Sequence, residues 1–140
     1  MANRAAVGVM QIFADCIFGY GQSDEYSFVL RPDTKVHSRR SQKLISLAVS
    51  KFTSVYQFYW NEFFPDTRLL YPPTFDGRTV LYPNKEVLRD YISWRQVDCH
   101  INNLYNTTFH KLIQIRNKTP QEAEKILSKT LSPDKVTFPL

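Results

Sequence analysis

Asp24 and Glu25 are adjacent carboxylates in the stretch Gly21-Gln22-Ser23-Asp24-Glu25-Tyr26, which joins two short apolar runs, Cys16 to Tyr20 and Tyr26 to Leu30. Carboxylates suit hard divalent cations, and the short arm of Asp holds such a cation more rigidly than Glu. Neighbouring residues of an extended chain point to opposite faces, so at most one of the pair faces a given metal, and Asp24 is the candidate. Gly, Ser and Asp are equally what a tight hairpin tip requires, so the triplet alone fits a polar turn as well as a site.

Three other clusters could carry chemistry. Arg31, Lys35, Arg39, Arg40, Lys43 and Lys51 follow closely on the carboxylates. Acids beside bases suit phosphates that carry a divalent metal. Arg40 and Lys43 are spaced to share one helix face near its start, where the backbone also favours anions, and that face suits a triphosphate or solvent. His100-Ile101-Asn102-Asn103-Leu104-Tyr105-Asn106 concentrates hydrogen-bonding groups beside an apolar stripe, as a site or as caps and a polar network. Asp76-Gly77-Arg78 offers either another carboxylate or a bulge with an internal ion pair. His110 has no partner at metal-ligand spacing, and no P-loop, nucleophile elbow or G-x-G-x-x-G segment occurs.

The elements that must position these groups follow from periodicity. Ala5, Ala6, Val9, Met10 and Phe13 predict a helix over 2–14, and the two apolar runs predict an antiparallel strand pair. Leu44, Leu47, Ala48, Phe52, Val55, Tyr59 and Phe63 predict one long helix over 38–63 with a buried aromatic face. After the prolines at 65, 72 and 73, residues 74–82 read as a third strand whose start bends at Asp76-Gly77. Asn84 caps a helix running toward residue 116, with a break expected near Asp98-Cys99-His100. Thr119-Pro120-Gln121-Glu122 is a capping box opening a last helix that ends near Leu131, and a tail follows over 132–140. Helix, strand, strand, long helix, strand and helices become a ferredoxin-like split βαβ unit if one strand is added in front.

Composition bounds the partners. The chain has 140 residues, 43% of them hydrophobic, enough for one domain with a core of its own. Its 18 Lys plus Arg against 13 Asp plus Glu favour an anionic partner such as a nucleotide or RNA. No apolar run reaches the roughly 18 residues of a membrane span and no secretory signal opens the chain, so a soluble, intracellular protein without a membrane partner is expected. Cys16 and Cys99 lie far apart with no C-x-x-C spacing, which suits a reducing compartment better than a zinc site or a disulfide.

Several long segments, taken together and in order, carry a resemblance. They are Tyr20 to Phe28, Arg39-Arg40 with Lys43, Phe58-Tyr59-Trp60, Tyr71-Pro72-Pro73, Phe75 to Arg78, and Ser93-Trp94-Arg95-Gln96 running into Asp98 to Thr107. The sequence resembles the eukaryotic tRNA(His) guanylyltransferases over residues 2–135. That resemblance implies an α+β fold similar to a polymerase palm, running in the reverse, 3′ to 5′, direction. Its implied reaction activates the 5′ end of tRNA(His) with ATP and adds a guanylate from GTP, aided by two Mg2+ ions. Asp24 then resembles the family's second metal-binding aspartate and Glu25 its supporting acid, both catalytic. Ser23, Asp24, Arg40 and Lys43 resemble nucleotide and phosphate contacts, and His100 with Asn103 belongs to a helical motif near the activating nucleotide. A homotetramer and a nuclear or cytoplasmic location are implied as well.

Members of that family begin with a strand leading into R-x-D-G-[KR]-x-F, which supplies the first metal aspartate. This sequence opens at the helix after it and diverges again past Asp134-Lys135. The expectation is a chain truncated at both ends: a partial palm-like catalytic domain over 1–82 lacking its first strand, a helical part over 83–131 and the tail. Such a chain is either the enzyme or an inactive isoform that keeps tRNA-binding or subunit-interaction surfaces.

Overall fold

A computed structural model describes residues 1–128. The fold is α+β, with five α-helices and a two-stranded sheet among the described residues. Two compact units divide at Leu81 and Tyr82.

In the first unit, α1 (Ala2–Ile12) leads into the hairpin of β1 (Cys16–Gln22) and β2 (Glu25–Leu30). The strands pair antiparallel from Cys16↔Leu30 to Gln22↔Glu25, with an irregularity between Cys16 and Phe18. That register leaves Ser23 and Asp24 as a two-residue connection. Both strands extend further toward the tip than the apolar runs alone indicate, because ladder hydrogen bonds do not depend on side-chain polarity. Gly21 lies across from Tyr26, and a Cβ there would stand 2.1 Å from the Tyr26 ring. Only glycine lets that ring lie flat across the strand.

The core of this unit is Ala5, Ala6, Val9 and Phe13 from α1 with Phe52 and Val55 from α2 (Ser41–Phe58), and Tyr26, Phe28 and Leu30 of the hairpin pack against it. Small residues on α1 let the helices approach, and Gly8 faces Val55. The Tyr26 hydroxyl donates to the Asn3 side chain, which ties the hairpin to the start of α1.

The long helix expected over 38–63 is three pieces. A turn spans Val36–Arg39, α2 follows, and α3 (Trp60–Phe63) comes after a non-helical Tyr59 at φ −94°, ψ 8°. The turn differs from a helix because His37, Ser38 and Arg39 take left-handed φ of 49°, 54° and 57°. Each costs roughly 1–2 kcal/mol for a residue with a Cβ. Side-chain bonds hold the loop, with the Arg39 guanidinium donating to the Pro32 carbonyl and Arg40 Nε to the His37 carbonyl.

The third strand expected over 74–82 does not form: this stretch has no ladder partner among the described residues. It packs through side chains instead. Phe75 fits against Phe52 and Tyr56, and Gly77 sits so close to α2 that a Cβ would lie 2.6 Å from Val49. Of the apolar residues that marked this stretch, Phe75 is covered by α2, while Val80 and Leu81 stay exposed.

The second unit contains α4 (Lys85–Gln114) and α5 (Pro120–Leu127). The break expected near Asp98 is absent and α4 runs straight through. No Gly or Pro interrupts it, and Arg95 and Asn102 both donate to Asp98 along the helix. Leu112 of α4 with Ala123 and Leu127 of α5 forms a small separate core. Asn84 accepts from Val87 N–H, and Thr119 with Glu122 completes the capping box. The expected helix end near Leu131 and the tail over 132–140 lie outside the described residues.

Candidate functional site

Ser23 and Asp24 form the hairpin tip. Ser23 takes φ 53°, the left-handed region, at the first of two loop positions, as type II′ turns require. Asp24 follows it and is exposed. Glu25 opens β2 opposite Gln22 and is exposed as well. The two acids thus belong to different local structures: Asp24 is carried by a turn and Glu25 by a ladder that fixes which face it takes.

Arg40 and Lys43 stand at the start of α2, both exposed. Arg40 spends its Nε on the His37 carbonyl, which holds the guanidinium in place beside the helix start. No side chain caps α2 and its first turn contains no acid. The left-handed run from His37 to Arg39 leads directly into that helix start, with the Arg39 guanidinium turned back to the Pro32 carbonyl. Little in the residue types announces the run: His is enriched at positive φ, but Ser and Arg are not.

His100 and Asn103 are exposed on α4, three residues apart on one flank. They belong to the second unit, whereas Ser23, Asp24, Glu25, Arg40 and Lys43 belong to the first. Their neighbours on the other flank form the Arg95, Asp98 and Asn102 network, with Arg95 stacked 4.1 Å over Trp94. Part of this polar segment therefore organises the helix, and His100 and Asn103, like Asn106, face solvent.

Asp76 pairs with Arg78 at 3.3 Å, both well exposed, which is the internal pair of a bend. Among the described residues no three His, Cys, Asp or Glu side chains gather into a metal-binding group. Asp24 still fits one Mg2+, because that ion keeps its waters and binds through one or two carboxylates plus substrate phosphates. The described carboxylates do not fit a two-metal site built by protein alone.

Cys16 opens β1 at the end of the hairpin away from the tip, so it supplies no nucleophile there. Burial pushes the Cys16 thiol up, against backbone hydrogen bonds with Phe18 and Val29 that pull it down. Gln22 is the residue of the tip that sequence reasoning passed over. Its Oε1 is buried and makes no hydrogen bond. The only available signal was its place, a polar residue ending an apolar strand directly before Ser23-Asp24-Glu25.

Comparison with known proteins gives a consistent result. The family profile described as tRNAHis guanylyltransferase matches residues 1–83, and the profile for that family's C-terminal domain matches residues 86–138. The chain is 55% identical over 129 residues to tRNA(His) guanylyltransferase of Candida glabrata, covering 91% of this chain and 54% of that protein. It is 53% identical over 135 residues to the Schizosaccharomyces pombe protein of the same name, covering 96% of this chain and 51% of that protein. A crystal structure of the Saccharomyces cerevisiae tRNA(His) guanylyltransferase superposes with a TM-score of 0.89 at 47% identity, covering 96% of this chain and 60% of that one. The chain spans about half the length of the curated relatives it matches.

Proposed function

Because this chain belongs to the tRNA(His) guanylyltransferase family, we propose that its hairpin tip and the start of α2 form part of a nucleotidyl-transfer site that adds guanylate to the 5′ end of tRNA(His). The observation that carries this reading is that one unit contains both an exposed carboxylate on a two-residue turn and an uncapped, basic helix start. The names of the relatives supply the substrate, and the nucleotides are GTP and ATP.

In this reading, Lys43 and Arg40 neutralise and orient the triphosphate, and the α2 backbone adds donors beside them. Ser23 presents its hydroxyl to the nucleotide from a backbone already fixed in the turn. Asp24 would hold Mg2+, which when bound offsets charge on the phosphates. Glu25 is the supporting acid beside Asp24, on the adjoining face. His100 and Asn103 contribute hydrogen bonds to the activating nucleotide. The hairpin with α1 and α2 is the corresponding part of a palm-like domain, and a homotetramer in the nucleus or cytoplasm completes the proposal.

A second reading, retention of tRNA binding without transfer, is favoured by one observation: the described residues offer no metal-binding group of three. Magnesium- and GTP-dependent labelling of the 5′ end of tRNA(His) separates the two. Transfer that falls at least ~100-fold in Asp24→Ala supports the enzyme. Salt-sensitive tRNA binding with no transfer, unchanged by Asp24→Ala, supports the binding protein.

A further inference from the structure

The Gln22 side chain is the unexplained group at the tip. Buried polar atoms almost always have a hydrogen-bond partner, yet Gln22 Oε1 is buried with none. The residue as a whole is only partly buried, so rotation about its side-chain bonds can turn the carbonyl toward a ligand. It ends β1 directly opposite Glu25 and two residues before Asp24. Paired side chains of this kind share a face with Cβ atoms about 5 Å apart.

The chemistry of the atom narrows the ligand. A carbonyl oxygen only accepts, and so do the ionised oxygens of a triphosphate, so the phosphates cannot serve it. A nucleotide carries donors on its ribose hydroxyls and on its base. The ribose is bonded to the phosphate chain and the base lies one sugar further away. With the phosphates and Mg2+ placed at Asp24, the donors near Gln22 are the waters that Mg2+ keeps and the sugar hydroxyls, and of these only the hydroxyls belong to the nucleotide itself. We propose that Gln22 contacts the ribose of the bound nucleotide, its Oε1 accepting a hydrogen bond from a sugar hydroxyl and so favouring ribonucleotides. This rests on the nucleotide-binding reading above.

The experiment is equilibrium binding of GTP, 2′-deoxyGTP and 3′-deoxyGTP with Mg2+ to the full chain, as wild type, Gln22→Leu and Asp24→Ala. Wild type is expected to bind GTP about five- to tenfold more tightly than at least one deoxy analogue. In Gln22→Leu that preference is expected to shrink to less than about twofold, with affinity for the same deoxy analogue unchanged. A preference that survives in Gln22→Leu overturns the proposal. So does a wild type that binds GTP and both deoxy analogues equally, a result that needs no variant to fold. If wild type binds GTP no better than Asp24→Ala does, the nucleotide reading itself fails, and the ribose contact with it.

Discussion

Two helix starts in this chain are built in opposite ways. At α5, Thr119 and Glu122 satisfy each other's backbone partners, proline occupies the first turn and an acid sits where the helix dipole wants one. At α2, no side chain caps, no acid enters the first turn, and the approach runs through three left-handed residues with Arg39, Arg40 and Lys43 around them. The first start is closed by its own side chains. The second is left open, positively charged and strained, an arrangement that stability alone does not select.

The largest effect that sharpens this contrast is on ligand affinity. Removing the charges at the open start, in Arg40→Ala with Lys43→Ala, is expected to weaken binding of Mg·GTP about 100-fold, a loss of about 2.7 kcal/mol measured by calorimetry. Neutralising Lys125 in α5 is expected to leave it unchanged. Equal losses from the two helices would break the contrast.

Stability should show the reverse order. Thr119→Ala is expected to cost about 1 kcal/mol in chemical denaturation while leaving nucleotide affinity intact. Ser38→Gly relieves one left-handed residue and is expected to raise stability by less than about 1 kcal/mol. A destabilised Ser38→Gly would mean that the left-handed turn carries no strain.

The smallest effect is with pH. Hydrogen bonds from the Thr119 backbone, then the Lys118 charge and the Thr119 hydroxyl, hold the Glu122 carboxyl below its ordinary value of 4.5. A carboxyl depressed in the folded state contributes stability that is fully present above its unfolded value and fades as pH falls through the lower folded one. Glu122→Gln should therefore lower stability slightly at neutral pH, where the carboxylate contributes in full, and flatten the acid limb of the stability profile below about pH 4.5.

How much of this could be read from the residues depends on how local the signal was. The α4 and α5 starts were legible because Asn84 and Thr119 act within three residues of themselves. The hairpin was legible from two apolar runs around a polar turn. The third strand was not, since a strand needs a partner, and Phe75 and Gly77 meet α2 instead. The unbroken α4 was hidden because Asp98 and Asn102 look like a helix end until their mutual hydrogen bond is seen. Of the candidate site, Asp24, Arg40 and Lys43 stood out by type and spacing. The buried oxygen of Gln22 and the left-handed run depend on three-dimensional surroundings that residue type does not encode.

The proposed function requires that the hairpin tip hold the metal of a metal–nucleotide complex. The most direct test is calorimetric titration of GTP into the full chain, with Mg2+ and with EDTA, for wild type and Asp24→Ala. The prediction is that Mg2+ tightens binding to wild type by at least about tenfold and that Asp24→Ala loses this dependence while keeping the weak, metal-free binding at the basic helix start. A variant that gains as much from Mg2+ as wild type does would contradict it.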